Sequence, residues 1–155
     1  MKYITISLIL IVAFALLFLT ACSSKTPDNL GMSDGLFAPC PDSPNCVSTQ
    51  ASDEEHKINP IVAHGSEDKV MVDLRNSIES LFGGKVVEEE GPYLRAEFTS
   101  NVMRFIDDLE CDYDEKNGLI QIRSASRIGY SDLNANRKRV EELRSVFAKT
   151  QQATR

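Results

Sequence analysis

The sequence predicts an α+β domain: an antiparallel sheet of about four strands with two helices packed on one face. Strand-like segments follow one another between two single helices, whereas βαβ units would alternate strands with helices. The dipeptide Asn117-Gly118 separates two of these segments, and Asn-Gly is a strong hairpin signal. An irregular N-terminal arm at residues 36–64 holds four prolines and leaves room for a short strand at residues 58–63.

The first helix is predicted to follow Ser66, a typical N-cap residue, because acidic residues fill the next turn. Apolar residues then recur at helical spacing until Gly83-Gly84, a pair typical of a helix end. That apolar stripe contains Val70, Leu74, Ile78 and Leu81. The strand candidates that follow are residues 85–89, 93–100, 104–113 and 119–128.

The last helix is predicted to start at Ser131, which would act as its cap, with Asp132 in the first turn. Asn136 falls on the apolar stripe of this helix, among residues that should face the sheet. The stripe itself contains Leu133, Val140, Leu143 and Phe147. We expect one globular domain at residues 36–150 and a polar tail at residues 151–155 that frays.

A tight turn at Asn117-Gly118 would pair Tyr113 with Ile122 and Asp108 with Arg127. A loop two residues longer would change the partners but not the faces, because side chains alternate with a period of two. One face is then charged, and we expect ordinary acid–base pairs on a solvated surface there. Its members are Arg104, Asp108, Glu110, Asp112, Arg123 and Arg127.

Polar residues also occupy positions that should face the core. They are Asp107, Ser124, Ser126 and Asn136. A buried carboxylate without a partner would be costly, so these groups either satisfy one another or line a pocket. The candidate partners of Asp107 are Arg127, Arg137 and the Asn136 amide. Asp107 and Asp108 are adjacent on one strand, so they point to opposite faces and cannot act as a catalytic pair.

The N-terminus has the features of a bacterial lipoprotein signal. Lys2 precedes an apolar run from Ile4 to Leu19, which is short for a membrane-spanning helix, and small residues precede Cys22. We predict a signal peptide at residues 1–21, acylation of Cys22 and a flexible tether at residues 22–35. The domain would face the periplasm, and Ser23, by resemblance to known lipoproteins, favours the outer membrane over the inner.

The other three cysteines have different predicted fates. Cys40 and Cys46 flank a short loop with two prolines in a compartment that permits disulfides, so we predict a bridge between them. Cys111 lies on the inward face and should be a buried, inert thiol. Neither ligands at zinc spacing nor a glycine-rich phosphate loop are found, so we predict no metal and no cofactor.

Charge argues against nucleic acid as a partner. Without residues 1–21, which contain a single charged residue, Lys2, the chain keeps 16 basic and 23 acidic side chains, a formal charge of −7. Nucleic-acid binding needs a basic surface.

Four separated motifs resemble those of the family called domain of unknown function 1499. They are Cys40–Ser48, Arg104–Asp108, Arg123–Leu133 and Asn136–Arg139. The resemblance covers about residues 37–147 and implies an envelope lipoprotein or a related protein. It implies no established activity, substrate or catalytic residue.

The sequence favours a non-enzymatic, lipid-anchored envelope module that binds an anionic small molecule, a lipid headgroup or a protein partner. Arg127 would be the main anion contact, with Arg123 or Arg137 assisting, because arginine binds planar anions through two donors. The side chains expected to shape the site are Asp107, Ser124, Ser126 and Asn136. The alternatives are a hydrolase or transferase that uses a serine or Asp107, and a purely structural envelope assembly factor.

Overall fold

The computed structural model describes residues 25–153, so the predicted signal peptide and Cys22 lie outside the described residues. The elements in chain order are β1 (Cys46–Ser48), β2 (Ile61–Val62), α1 (Glu67–Ser80), β3 (Gly84–Glu90), β4 (Tyr93–Thr99), β5 (Ile106–Asp114), β6 (Leu119–Ser126) and α2 (Ala135–Ala153). No helix within this range is long and apolar enough to cross a membrane.

The strands form one antiparallel sheet in the order β1-β6-β5-β4-β3, and β2 pairs with β6 beside β1. This confirms the predicted α+β class. The sheet has six strands instead of about four, because the arm adds two short strands to the outer edge of β6. The extra pairing satisfies backbone groups along that edge that would otherwise lack partners.

The β5–β6 hairpin has a longer loop than a tight Asn-Gly turn. Asp114 pairs with Leu119, and the Asp114 carboxylate accepts hydrogen bonds from the backbone and side chain of Asn117. The register predicted from the tight turn is therefore wrong by two residues, and Tyr113 pairs with Ile120. The faces are as predicted, because a shift of two residues preserves the side-chain alternation.

Both helices pack on the same face of the sheet, where the core lies. α1 contacts β3, β4 and β5, while α2 contacts β6 and β1, and the helices also contact each other. The burial of an apolar stripe on each helix contributes most of the stability of the two helices. Fully buried side chains include Val70, Leu74, Ile78, Val140, Leu143 and Phe147.

Helix α1 begins after Ser66, as predicted, although the Ser66 side chain makes no capping hydrogen bond. Leu81 ends the helix, and Gly83 follows with φ +79°. A Cβ at Gly83 would lie 2.6 Å from the Thr99 carbonyl oxygen. Only glycine allows this close approach of the segment to β4 without strain.

Helix α2 starts at Ala135, so the prediction that Ser131 caps it is wrong. Asp132 takes the capping role, because its carboxylate accepts from the backbone N–H groups of Asn134 and Asn136 at 2.9 and 2.8 Å. Leu133 was predicted to lie on the apolar stripe, but it precedes the helix at φ +55° and is 82% exposed. The helical period does not apply to a residue outside the helix.

At its other end, α2 extends to Ala153, into the stretch predicted as a polar tail. Gln151 is buried there and bonds both the N–H and the C=O of His64, each at 3.0 Å. A side chain of α2 thus holds the arm next to β2.

The stretch before the arm continues it across the sheet face opposite the helices, so from here on the arm means residues 25–64. The N–H of Gly31 donates to Glu110 Oε1 at 2.7 Å, and the Phe37 side chain is buried. Residues 25–35 belong to the stretch predicted as a tether, and at least Gly31 is hydrogen-bonded to the sheet. The predicted Cys40–Cys46 disulfide is present, with a Cα–Cα distance of 5.6 Å.

The two ends of the sheet differ in their loops. One end, here called the loop end, carries residues 81–83, 100–105 and 127–134, which connect α1 to β3, β4 to β5 and β6 to α2. The opposite end, here called the acid end, carries the β3–β4 turn, the β5–β6 loop and the start of α1.

Candidate functional site

Asp107 and Asp108 point to opposite faces of β5, as predicted. The Asp107 carboxylate accepts a hydrogen bond from Arg139 on α2, whereas the Asp108 carboxylate binds Arg127 on the other face. The predicted site residues are thereby divided between two separate polar groups, one on each face of the sheet.

The first group, here called the helix-face cluster, lies between β5, β6 and α2. Its centre is Asn136, which is fully buried. Asn136 Oδ1 accepts from Ser124 Oγ at 2.7 Å, and Asn136 Nδ2 donates to Ser126 Oγ at 3.0 Å and to the Asn45 carbonyl at 2.9 Å. The cluster contains Asp107, Ser124, Ser126, Asn136 and Arg139.

The helix-face cluster therefore joins three parts of the chain. Asn136 contacts β6 and the disulfide loop at once, and an Asp132 oxygen also lies 2.8 Å from its Nδ2, so the two N–H groups of the amide are shared among three acceptors. A buried amide bonded on both sides pins the first turn of α2 to the sheet and fixes its register. The inward placement predicted for Asp107, Ser124 and Ser126 is confirmed.

The predicted partners of Asp107 are wrong, because its partner is Arg139. Arg137 instead donates to the carbonyl groups of Lys57 and Glu55, at 2.9 and 2.7 Å, and so holds the arm. The sequence contains the signal that finds Arg139. It lies three residues after Asn136, and residues at that spacing share a helix face.

The second group, here called the arm-face ion layer, lies between the sheet and the arm. It contains Arg95, Glu97, Asp108, Glu110, Arg123 and Arg127. Arg127 binds Asp108 through two nitrogens, each at 2.7 Å, and also binds Glu97. Arg123 Nη1 donates to Glu110 Oε2 at 3.0 Å.

The sequence was wrong about the setting of these charges, which were expected on a solvated surface. The side chains of Asp108 and Arg127 are only 2% and 3% exposed, and Glu110 is fully buried. Residues of the arm, including Pro27 and Pro39, lie over them. The hydrogen bond with Asp108 does most to raise the pKa of Arg127, so its guanidinium stays charged despite desolvation.

Tyr93, the first residue of β4, extends this layer toward the acid end. Its hydroxyl donates to Glu110 Oε1 at 3.0 Å, the same oxygen that accepts from Gly31. Burial, followed by the negative charge of Glu110, raises the pKa of Tyr93, so the phenol stays protonated and remains a donor. Arg123 Nε is the one buried side-chain nitrogen or oxygen without a partner among residues 25–153. Arg123 is one of the residues that line a cavity of about 300 Å³ beneath the arm.

A more open cavity of about 340 Å³ lies at the loop end, between α2 and the ends of β4 and β5. We call it the Arg139 cavity. The Arg139 guanidinium lies 4.6 Å from the centre of the Phe98 ring, a cation–π contact. The lining includes Leu81, Phe82, Phe98, Asp107, Lys138, Arg139 and Glu142.

Hydrolytic chemistry would need a base beside one of the inward serines. Among residues 25–153 no hydrogen bond joins an imidazole to Ser124 or Ser126: the His56 ring contacts Asp53 and the Ser43 carbonyl, and His64 is exposed. Both serine hydroxyls bond to Asn136, which is not a base. Within residues 25–153 no three His, Cys, Asp or Glu residues form a group that could hold a metal ion.

Cys111 is a free thiol that is fully buried, as predicted. Burial, reinforced by the charges of Glu110 and Asp112, raises the pKa of the Cys111 thiol above its usual range. The thiol is therefore poorly reactive, because the thiolate is the nucleophilic form.

A buried and an exposed ion pair predict different costs for removing a carboxylate from its arginine partner. Asp108→Ala should lower the free energy of unfolding by roughly 3 kcal/mol, because it leaves buried arginines short of a counter-charge. Glu141→Ala removes the partner of Arg144 in an exposed pair and should cost less than about 0.5 kcal/mol. Urea denaturation of both variants checks this, and equal losses would contradict the burial of the arm-face ion layer.

Comparison with known proteins identifies a family but no activity. No curated protein and no solved structure matches the chain. One family model, described as a protein of unknown function, DUF1499, matches residues 37–147. The match begins in the arm and ends in α2, so it spans the six strands and both groups of polar residues. The chain therefore belongs to the DUF1499 family.

Proposed function

We propose that this protein is a lipid-anchored module of the cell envelope that binds an anionic amphiphile in the Arg139 cavity without chemical conversion. An anionic amphiphile is a molecule with an acidic head and an apolar chain. One observation carries the proposal: an open cavity places the phenyl rings of Phe82 and Phe98 next to two cations, Lys138 and Arg139. Ligand sites typically combine an apolar wall with a few placed polar groups.

Arg139 is held in position before any ligand arrives. Its guanidinium donates to Asp107, to Ser124 Oγ at 3.0 Å and to Asn136 Oδ1, and it stacks on Phe98. Preorganised donors bind at lower entropic cost than mobile ones. Lys138 is exposed at the cavity and can follow the position of an acidic head.

The charge balance at the cavity favours an amphiphile over a small free anion. Asp107 and Glu142 also line the cavity, so its two cations are matched by two carboxylates. A free phosphate would gain little from such a balanced site. A molecule that also buries a chain against Leu81 and Phe82 would gain the hydrophobic contribution of that contact.

This proposal moves the anion contact from Arg127 and Arg123 to Lys138 and Arg139. Arg127 is buried between Asp108 and Glu97, and Arg123 is buried and bonded to Glu110, so neither is open to an incoming anion. Arg139 is also bonded to a carboxylate, Asp107, but Lys138 beside it is exposed. Enzymatic use of Ser124 or Ser126 lacks support, since both hydroxyls bond to Asn136.

A charge reversal on α2 tests the proposed site. Short-chain phosphatidylglycerol should raise the melting temperature of the wild type, and Lys138→Glu should abolish that rise because it places a third carboxylate at the cavity. At ten times Kd the stabilisation should be about 1.4 kcal/mol. Differential scanning calorimetry provides the measurement.

Lys149→Glu is the matched control, because it makes the same charge change on the same helix, about 16 Å away along the axis. It should keep the ligand-induced rise. Glycerol 3-phosphate should stabilise much less than the phospholipid, and equal effects would mean that the head alone is bound. A rise that survives in Lys138→Glu would refute the site.

The anchor is tested separately at Cys22. The mature wild type should carry the mass of acyl chains on Cys22 and sediment with membranes, whereas Cys22→Ser should do neither. Mass spectrometry of both proteins decides this. A Cys22→Ser variant that remains acylated and membrane-bound would refute the anchor.

A further inference from the structure

Exposed apolar side chains are concentrated at the loop end. Of the eleven large hydrophobic residues that are exposed among residues 25–153, seven lie in its three connections. Isolated exposed hydrophobics are normal, but a set gathered on one end of a domain marks an interaction surface. The seven are Phe82, Val102, Met103, Phe105, Ile128, Tyr130 and Leu133.

Charge is polarised along the same axis. The three connections of the loop end have one exposed charged side chain, the cationic Arg104, and the adjacent Arg139 cavity adds Lys138 and Glu142. At the acid end, carboxylates from the start of α1, the β3–β4 turn and the β5–β6 loop lie at the same end of the sheet. They include Glu67, Asp68, Glu89, Glu90, Asp114 and Glu115. Partial burial, followed by the charges of Asp114 and Glu67, raises the pKa of Asp112 at that end, as expected where like charges gather.

The chain enters the domain near the loop end. Pro27 lines the cavity beneath the arm, together with Asp108, Arg127 and Ser126. Pro27 comes five residues after Cys22, so the acylated residue can be no more than about 17 Å from this point. A tether of that reach keeps the loop end, not the acid end, close to the membrane.

We propose that the loop end docks on the surface of the lipid bilayer that holds the Cys22 anchor, with its exposed apolar side chains among the headgroups. This inference rests on the anchor in the proposed function. It goes beyond that function, since it assigns a second contact with the membrane and an orientation of the domain.

The composition of the loop end fits a bilayer surface. Aromatic rings such as Tyr130 and Phe82, next to Arg104 and Lys138, are the residue types that settle at the level of the headgroups. Anionic lipid would attract these cations and repel the acid end. Because the anchor holds the domain at a high local concentration near the bilayer, even a weak contact would be occupied.

Depth-dependent fluorescence quenching tests the orientation in the full-length, acylated protein. A probe is attached to Leu133→Cys at the loop end or, as the matched control, to Glu115→Cys at the acid end. Labelling is selective, because Cys40 and Cys46 are bonded and Cys111 is buried. The protein is reconstituted in phosphatidylethanolamine and phosphatidylglycerol vesicles that contain brominated acyl chains.

The Leu133 probe should be quenched at least about twofold more than the Glu115 probe, because interfacial apolar groups lie about 5–10 Å into the headgroup boundary. Adding Val102→Asp should reduce that quenching, since a charge disfavours insertion. Val62→Asp makes the same change at an exposed valine in β2, away from the loop end, and should leave it unchanged.

The acyl mass on Cys22 separates the two proposals. If Cys22 is acylated and the two probes are quenched equally, the docking is refuted and the anchor stands; the loop end would then be a surface for a protein partner. If Cys22 carries no lipid, the anchor is refuted, and the docking that rests on it is refuted as well.

Discussion

The structure depends on β5, a strand with acidic side chains on both faces of the sheet. Asp107 of β5 points to the helices, while Asp108 and Glu110 point away from them. Glu110 is fully buried and bonded to Arg123, Tyr93 and Gly31. Buried ion pairs tolerate the loss of water only when nearly every donor and acceptor is satisfied, so this face requires the arm as its cover.

The arm then determines where the rest of the chain must lie. Its cover of the ion layer places Pro27 near the C-terminal end of β6, and the disulfide loop beside it supplies the Asn45 carbonyl that Asn136 binds. The same N-terminal segment thus contacts side chains on both faces of the sheet. The same path brings the N-terminal segment to the end where the Arg139 cavity and the exposed apolar loops are found.

The helix-face cluster connects stability with the proposed site. Asn136 and Asp107 hold Arg139 against the Phe98 ring, and this contact forms part of the cavity wall. Lys138 directly precedes Arg139 on α2, but it is exposed and does not belong to the helix-face cluster. The position of Arg139 is therefore fixed by the fold, whereas substitution of Lys138 should have little effect on stability.

Much of the fold follows from local periodicity. The helix that buries Leu74 and Ile78, and the inward face of Ser124, were predictable because periods of 3.6 and 2 survive small errors in loop length. The partner of Asp107 was not, since a long arginine on α2 reaches it from another element. Leu133 was misplaced because Asp132, not Ser131, caps α2.

The burial of the arm face was the largest departure from the sequence prediction. An alternating strand with acids and arginines on one side is typical of a solvated surface, and nothing in β5 or β6 signals a cover. The cover comes from an irregular segment without a period, and its contact with Glu110 uses the backbone N–H of Gly31, a group that every residue except proline carries. Backbone contacts of this kind cannot be predicted from the pattern of side chains.

Amide hydrogen exchange at Gly31 in the full-length protein tests this account most directly. If the arm covers the ion layer, the Gly31 N–H that donates to Glu110 should exchange more than about a hundredfold slower than an unstructured amide, an opening free energy of about 2.8 kcal/mol. Exchange at the unstructured rate would contradict it: the charged face would then be open to water, and the chain would be free to leave the loop end.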